Sequence, residues 1–278
     1  RGIGDGGSRL PVASFLTQEC ARFRTLLGVV SQSLELLVQG LRGTAVMTLE
    51  VEAVQRALLE ERVPDKWAEF AYPSLLPLGS WVSALVLRVK YLRGWSERKE
   101  IPHCHLIGYY FFPQSFVTAV LQGAARKLEI PLDDMKMEYK VQQTTDPEQI
   151  TGALPAEEGV FSSGFFLEGA AWDPGSKSLQ PSLEAEVAAP LPVVHCIPRL
   201  TRLPADLSHV KPREGANGLP SDGAPHTYDC PVYRTWVRAG TWSTIGDSTN
   251  FVGLVGLPSC EPPSFWTLRG VALLCEPR

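Results

Sequence analysis

The 278-residue sequence lacks the local motifs of the common catalytic and secreted protein classes. It has no GxxxxGK[ST] phosphate-binding loop, no CxxC pair among its six cysteines and no Asn-x-Ser/Thr glycosylation sequon. It also lacks an excess of basic residues, because its formal net charge is −4 at pH 7. These absences argue against a Walker-type nucleotide site, a disulfide framework and a nucleic-acid-binding surface.

The sequence also has no apolar run that is long and unbroken enough for a membrane span. The most apolar stretch, residues 75–92, is interrupted by Pro77, Gly79 and two basic residues. Residues 1–8 are rich in glycine and polar side chains, the opposite of a signal peptide. Because the cysteines are scattered, we interpret them as free thiols of a reducing compartment. The sequence therefore predicts an intracellular, soluble protein.

The first half of the sequence has the apolar periodicity of helices. Steps of four and three residues predict one long helix, preceded by Pro11 and Ser14 and stopped at Gly40 and Gly43, with an apolar seam of Leu16, Cys20, Phe23, Leu27, Val30, Leu34, Leu37 and Leu41. Few charged residues flank this seam, so a core helix of a bundle is favoured over a free coiled coil.

Four further helices are predicted before residue 131. The second begins at Thr48, a suitable N-cap, and ends by Pro64, and a short one covers residues 66–70. The last begins at Pro113, because proline is favoured at the first helical position, and stops at 130–131. The helix between them covers residues 79–94, with one apolar side formed by Trp81, Val82, Leu85, Val86, Val89 and Leu92.

The period of the apolar residues changes after residue 134. Alternation from Met135 to Val141 predicts a half-buried strand. Short apolar runs separated by glycine and proline predict further strands at 160–161, 165–167, 193–197, 232–233, 251–257 and 268–275. Helices followed by strands, without alternation, indicate the α+β class: an N-terminal helical bundle followed by an antiparallel β-barrel or sandwich. We predict a helical subdomain at 10–133 and a β subdomain at 134–278, which carries a long surface loop at about 199–225.

Two groups of residues have side chains suited to chemistry. Residues 103–105, His-Cys-His, are competent metal ligands, but neighbouring residues of a strand point to opposite faces and cannot all reach one ion. Glu168 and Asp173 are a candidate carboxylate pair, although capping carboxylates in a glycine-rich turn are the simpler interpretation. None of the cysteines has a His or Asn partner in a recognisable setting. The sequence thus predicts no metal, cofactor or catalytic site.

A series of segments, taken in order, carries a family resemblance. They are LPVASFLTQE at 10–19, YPSLLPLGSW at 72–81, LQGAARK at 121–127, GFFLEGAAWD at 164–173, LPVV at 191–194, CPVYRT at 230–235, STNF at 248–251 and RGVALLC at 269–275. Together they resemble the C-terminal region of dynein heavy chains, over essentially the whole sequence from Arg9 onward. Residues 238–251 are most similar to the single-headed inner-arm axonemal subgroup. Two features depart from that subgroup: Asp247 replaces its usual His, and the segment 199–225 is longer than typical.

The resemblance implies a domain that packs on one face of a six-module AAA+ ring, with residues 1–9 as the linker from the upstream AAA+ module. It implies a helical segment followed by a β-barrel. The ATP and Mg²⁺ sites would lie upstream in the parent motor, an AAA+ ATPase, so this segment would be non-enzymatic. Its role would be regulatory and structural: to modulate ATP-driven, minus-end-directed motility on microtubules.

The resemblance also implies partners and a location. The partners would be AAA+ ring modules of the same heavy chain, the microtubule indirectly through the parent stalk, and axonemal light or intermediate chains, without nucleic acid or membrane. The location would be the cytoplasm and cytoskeleton, in the axoneme of a cilium or flagellum. Large aromatic residues anchor many interfaces, so Trp67, Trp81 and Trp172 are candidate interface residues, although most tryptophans simply fill cores.

Two other classes stay open at the level of sequence. A free-standing enzyme with an unrecognised site in the β half would have a deep pocket lined by convergent polar groups. A carbohydrate- or peptide-binding β-domain with a helical adaptor would expose a stripe of aromatic side chains on the barrel.

Overall fold

The computed structural model describes residues 6–98, 102–152, 154–155, 157–182, 188–201, 226–235 and 250–275. Contacts between Cα atoms divide the polypeptide into two compact units. Of the described residues, the helical unit comprises 13–98 and 109–112. The β unit comprises 6–12, 102–108 and the described residues from 113 onward.

The helices of the first half are α1 (Gly6–Leu41), α2 (Leu49–Leu59), α3 (Asp65–Ala68) and α4 (Leu78–Arg98). The predicted N-cap of α2 is confirmed, because the Thr48 side chain accepts a hydrogen bond from the Val51 N–H at 3.4 Å. The predicted end of α1 is confirmed as well. Gly43 has a positive φ of 69°, a conformation typical of the residue that follows a helix.

The start of α1 differs from the prediction. α1 begins at Gly6, ahead of Pro11, so the prediction that the helix starts after Pro11 and Ser14 is wrong. Proline interrupts a helix because it cannot donate to the carbonyl four residues earlier and its ring crowds that carbonyl. The carbonyl in question belongs to Gly7, the second residue of α1, so only one hydrogen bond is lost and the first turn persists.

The buried side of α4 also differs from the prediction. Val82 and Val86 were expected on the apolar side, but they are 42% and 59% exposed. The buried positions recur at steps of four and three residues and are Trp81, Leu85, Arg88, Leu92 and Trp95. Arg88 is buried because its guanidinium carbon lies 3.9 Å from the centre of the Tyr72 ring, a cation–π contact.

Aromatic side chains form the core of the helical unit. The Trp67 and Trp81 rings are stacked with their centres 5.9 Å apart, and Tyr72 stacks on Trp81 at 6.2 Å. Phe111 packs edge-on against Phe23, with 4.6 Å between ring centres. A smaller aliphatic cluster closes the α1–α2 hairpin and contains Leu37, Met47, Val51, Val54 and Leu58.

The β unit contains α5 (Pro113–Leu128), α6 (Pro263–Leu268) and eleven strands among its described residues. The strands are β1 (Cys104–Leu106), β2 (Met135–Val141), β3 (Val160–Ser163), β4 (Phe166–Glu168), β5 (Ala170–Asp173), β6 (Ser178–Pro181), β7 (Ala189–Pro190), β8 (Val194–Leu200), β9 (His226–Tyr233), β10 (Phe251–Ser259) and β11 (Ala272–Leu274). The predicted start of α5 at Pro113 and the predicted strand from Met135 to Val141 are both confirmed.

The strands form two sheets. One has the order β1-β3-β8-β2, and the other has the order β5-β6-β10-β9-β11-β4-β7. Among the described residues no hydrogen-bonded pairing joins the end strands of either sheet, which fits the sandwich alternative rather than a closed barrel. The β1–β3, β6–β10 and β9–β11 pairings are parallel, so the sheets are mixed rather than purely antiparallel. The predicted α+β class is confirmed.

Several short elements of the β unit were not predicted. β1, β5, β6 and β7 are two to four residues long, too short to show a period of alternation. The strand predicted at 268–275 is shorter: α6 ends at Leu268, and β11 starts at Ala272. Adjacent prolines at 262 and 263 open α6, where proline is favoured in the first turn.

The division into compact units concerns contacts rather than the type of secondary structure. α5 belongs to the same unit as the sheets, where Ala124 and Ala125 pack with Met135 at the start of β2. The division into residues 1–9, 10–133 and 134–278 stays a prediction about domains. Of the predicted loop at 199–225, β8 and the next residue account for 199–201, and residues 202–225 lie outside the described residues.

Candidate interaction surface

The three tryptophans named as interface candidates have different surroundings. Trp67 and Trp81 are 3% and 2% exposed, inside the aromatic core of the helical unit. The Trp67 indole N–H donates to Ser33 Oγ at 2.7 Å, which satisfies its polar atom inside the core. Trp172 is half-buried on β5, opposite Leu179 of β6. A direct interface role for these residues stays a prediction, and little of the Trp67 and Trp81 surface is accessible within this unit.

Only some of the apolar side chains of α1 are buried. The positions of α1 buried in the helical unit are spaced by three, four or seven residues and are Phe15, Glu19, Phe23, Leu26, Ser33 and Leu37. Two of the six are polar, so the buried face cannot be read from hydrophobicity alone. Glu19 and Ser33 are buried because each has hydrogen-bond partners, as buried polar groups require.

An exposed row of aliphatic side chains lies beside the buried face. We define the α1 stripe as Leu27, Leu34, Val38 and Leu41, which are 39%, 37%, 44% and 62% exposed. Intervals of seven, four and three residues place these four side chains on one side of the helix. Leu27, Leu34 and Leu41 were predicted to belong to the buried seam, and that prediction is wrong for these three residues.

Two further exposed aliphatic side chains lie just after α1 in the sequence. Val46 and Leu49 are 83% and 84% exposed, and both follow the end of the α1 stripe in sequence. The α1–α2 connection itself is tightly packed, since a Cβ added at Gly40 would overlap the Met47 side chain. Singly scattered exposed aliphatic residues are common on protein surfaces, whereas a contiguous exposed apolar patch is a feature of interaction sites, which makes the α1 stripe a candidate interaction surface. Burial of the remaining surface of one such leucine contributes about 1 kcal/mol.

The His-Cys-His sequence at 103–105 does not converge on one point. His105 is fully buried in β1, with its ring centre 4.5 Å from that of Phe116, and burial lowers the pKa of His105 to about 3. His103 is exposed, and its Nδ1 accepts a hydrogen bond from the Gly152 N–H at 3.2 Å. In the part of the sequence that the structure describes, no group of three His, Cys, Asp or Glu residues is placed to hold a metal ion.

Asp173 caps the turn between β5 and β6. Its carboxylate oxygens accept the Gly175 N–H at 3.1 Å and the Ser176 N–H at 2.9 Å. The hydrogen bonds from Ser176 and Gly175 lower the pKa of Asp173. Glu168 ends β4, in register with Ala272 of β11. Asp173 is thus a capping carboxylate, but of the turn that follows β5, whereas Glu168 lies in strand β4.

The buried thiols of Cys196 and Cys230 are poor nucleophiles. Burial raises the pKa of Cys196 to about 12 and also raises the pKa of Cys230. Because the thiolate is the reactive form, both cysteines are protonated at neutral pH and act as small apolar core residues.

A groove of about 370 Å³ lies between α2 and α3. Three basic and three acidic side chains line it: Arg56, Arg62 and Lys66, with Glu50, Asp65 and Glu69. Lys66 Nζ and Glu50 Oε2 form an ion pair across it at 2.9 Å. The balanced charges give no preference for a cationic or an anionic ligand.

Among the helices that the structure describes, none is long and apolar enough to cross a membrane.

Comparison with known proteins identifies the family. Residues 5–275, nearly the whole sequence, match the family model of the C-terminal domain of dynein heavy chains. The protein belongs to this family. Dynein axonemal heavy chain 6 of Homo sapiens is 36% identical over 282 residues, which covers 95% of this sequence and 6% of the relative. Dynein axonemal heavy chain 3 of Mus musculus is 38% identical over 261 residues, which covers 94% of this sequence and again 6% of the relative.

This dynein C-terminal domain therefore spans only a small fraction of the heavy chains that it matches. Dynein axonemal heavy chain 1 of Homo sapiens, 37% identical over 260 residues, is also covered to 6% of its length. The resemblance to dynein heavy chains that the sequence segments carry is confirmed. The assignment to the inner-arm subgroup stays a prediction. The two departures from that subgroup, Asp247 and most of the segment 199–225, lie outside the described residues.

Proposed function

We propose that this protein is the C-terminal regulatory and structural domain of an axonemal dynein heavy chain. It packs on the AAA+ ring formed by the upstream part of the same polypeptide and modulates ATP-driven, minus-end-directed motility along microtubules in cilia or flagella. The names of the relatives support this proposal, since they are axonemal dynein heavy chains at 36–38% identity.

The α1 stripe is the observation that carries the packing role. Four aliphatic side chains aligned on one helix, each more than a third exposed, form a surface suited to an apolar partner. The relatives are much longer than this domain, so the heavy chain itself supplies a large candidate partner. We therefore assign the stripe to contact with the upstream ring modules.

The chemistry of ATP hydrolysis belongs, in this proposal, to the upstream modules. ATP and Mg²⁺ bind there, and this domain holds no cofactor and performs no catalysis. The microtubule is contacted indirectly through the parent stalk, and axonemal light or intermediate chains are further partners. The domain works in the axoneme, within the cytoplasm and cytoskeleton.

Modulation requires that the domain contacts the ring differently in different states of the ring. A contact that is equally strong in two states shifts neither of them, whatever its strength. Differential contacts worth about 1–3 kcal/mol change the balance of states by roughly 5- to 150-fold. The aliphatic residues of the stripe are numerous enough to supply a difference of this size if the ring covers them in one state only.

The test replaces two residues of the stripe in the full heavy chain, Leu34→Ser with Leu41→Ser. The control is Leu268→Ser, which removes a leucine that is 88% exposed on α6 of the β unit. We expect the stripe variant to change gliding velocity and ATP turnover of the motor, while its domain keeps the unfolding midpoint of the control. Motility equal to that of the control would contradict the assignment of the stripe to the ring.

A further inference from the structure

α1 carries a carboxylate inside the helical unit. Glu19 is 0% exposed and lies one helical turn from the buried Phe15 and one from the buried Phe23. A buried carboxylate is unfavourable unless charged and hydrogen-bonded partners compensate for the water it loses. The partners of Glu19 therefore indicate what the residue does.

Those partners are backbone amides of a single segment and one arginine. Glu19 Oε2 accepts the Phe111 N–H at 2.6 Å, and Oε1 accepts the Phe112 N–H at 3.3 Å. Arg22 Nη1 lies 3.0 Å from Oε1, and the Arg22 guanidinium carbon lies 4.3 Å from the centre of the Phe112 ring. Burial raises the pKa of Glu19 above its ordinary value, and the amides and Arg22 counter only part of that effect. Both carboxylate oxygens therefore accept hydrogen bonds from the segment.

The segment that Glu19 binds has an unusual place in the sequence. We define the strap as Tyr109–Phe112. The strap belongs to the helical unit, whereas residues 102–108 before it and the polypeptide from Pro113 belong to the β unit. The polypeptide thus enters the helical unit for four residues and leaves it again.

Aromatic rings fix the side chains of the strap, and Glu19 fixes its backbone. Tyr110 packs edge-on against Phe15 at 5.0 Å between ring centres, and Phe111 does so against Phe23 at 4.6 Å. Phe15, Glu19 and Phe23 follow each other at single-turn spacing, so one face of α1 holds one side of the strap. Tyr72 and, from α4, Tyr91 and Trp95 also pack against the rings of the strap.

We propose that Glu19 and Arg22 form a latch that holds the strap on α1, and that the strap opens locally when the latch is released, without unfolding of either unit. The rings of the strap are held by packing, by cation–π contacts and by a hydroxyl contact between Tyr110 and Tyr91, whereas the two amide hydrogen bonds depend on the Glu19 side chain. This proposal is independent of the proposed motor function, because it concerns contacts within the helical unit only.

The test is Glu19→Gln in the 278-residue protein, followed by hydrogen–deuterium exchange at single-residue resolution. Glutamine keeps the shape but has one acceptor oxygen, so its NH₂ group faces one of the two strap amides. We expect roughly ten- to hundredfold faster exchange at the Phe111 and Phe112 amides, the effect of one lost hydrogen bond to a charged group. The reference amides are Glu52, bonded to the Thr48 carbonyl, and Cys275, bonded to the Tyr233 carbonyl, and both should keep their wild-type rates.

The control is Glu35→Gln, an exposed glutamate on the same helix that bonds Ser31 Oγ at 3.2 Å, which should change neither set of amides. Equally faster exchange at the strap amides and the reference amides would show that Glu19 stabilises the whole fold rather than the strap alone. Unchanged exchange rates at the strap amides would show that Glu19 does not hold the strap. If Glu19→Gln does not fold, Arg22→Met decides, because Arg22 is 35% exposed and tolerates change. Faster exchange confined to the strap in that variant supports the latch, and its absence overturns it.

Discussion

Removal of the Ser33 hydroxyl tests whether Trp67 is a core residue of the helical unit. Ser33 is 5% exposed, and its Oγ accepts the Trp67 indole N–H at 2.7 Å. In Ser33→Ala the indole N–H stays buried without that acceptor, which costs about 1–3 kcal/mol. Alanine is the better helix former by about 0.5 kcal/mol, which offsets part of the loss. We expect a net loss of about 0.5–2.5 kcal/mol in the free energy of unfolding.

Urea unfolding followed by circular dichroism measures this loss. The matched control is Ser31→Ala, two residues away on the exposed side of α1, where the gain in helix propensity is the same and no core hydrogen bond is lost. In a Trp67→Phe background, Ser33→Ala should cost less by about 0.5 kcal/mol or more, roughly the coupling seen between directly bonded pairs. Equal stability of Ser33→Ala and Ser31→Ala would refute the placement of Trp67 against Ser33.

Two further predictions concern a close backbone approach and a buried histidine. Gly108→Ala should lower the free energy of unfolding by more than about 2 kcal/mol, because the new Cβ would overlap the Cys275 carbonyl oxygen. Gly28→Ala on α1, with nothing within 4 Å of its Cβ, should instead raise it by about 0.5–1 kcal/mol in the same urea assay. The pKa of His105 is lowered from 6.5 to about 3 by burial, so the unfolded state binds a proton between these values that the folded state does not. Protonation of His105 therefore costs no stability above pH 6.5, where the residue is neutral in both states, and stability should fall as the pH decreases from 6.5 toward 3, at up to about 1.4 kcal/mol per pH unit. His105→Phe should remove this component of the pH dependence, and the exposed His103→Ala should leave it in place.

Local chemistry made several elements predictable from sequence. The Thr48 cap, the glycine turn after α1 and Pro113 at the start of α5 each depend on a few adjacent residues, and all three are present in the structure. The alternation at Met135–Val141 predicted β2 with its observed boundaries. These features need no knowledge of distant parts of the sequence.

The faces of the helices were less predictable. On α1, leucines lie on both the buried and the exposed side of the helix, while the polar Glu19 and Ser33 occupy buried positions. Their burial depends on partners far away in sequence, the strap amides and Trp67. On α4, Arg88 is buried because of Tyr72, which the apolar pattern of α4 does not contain.

The candidate site was missed for the same reason. Leu27, Leu34 and Leu41 were assigned to the core because their spacing fits one face, and that spacing is shared by a second, exposed face. The signal that would have indicated the stripe is a pair of adjacent apolar rows on one helix. One buried face needs a single row, so the second row indicates a second contact.

The central claim is that this domain acts through contacts with the rest of its heavy chain that change with the state of the motor. The most direct measurement is a structure of the full heavy chain in two nucleotide states, with attention to Leu27, Leu34, Val38 and Leu41. We predict that upstream residues cover the α1 stripe and that the covered area differs between the two states. A stripe that is open to solvent in both states, or covered identically in both, would contradict the account.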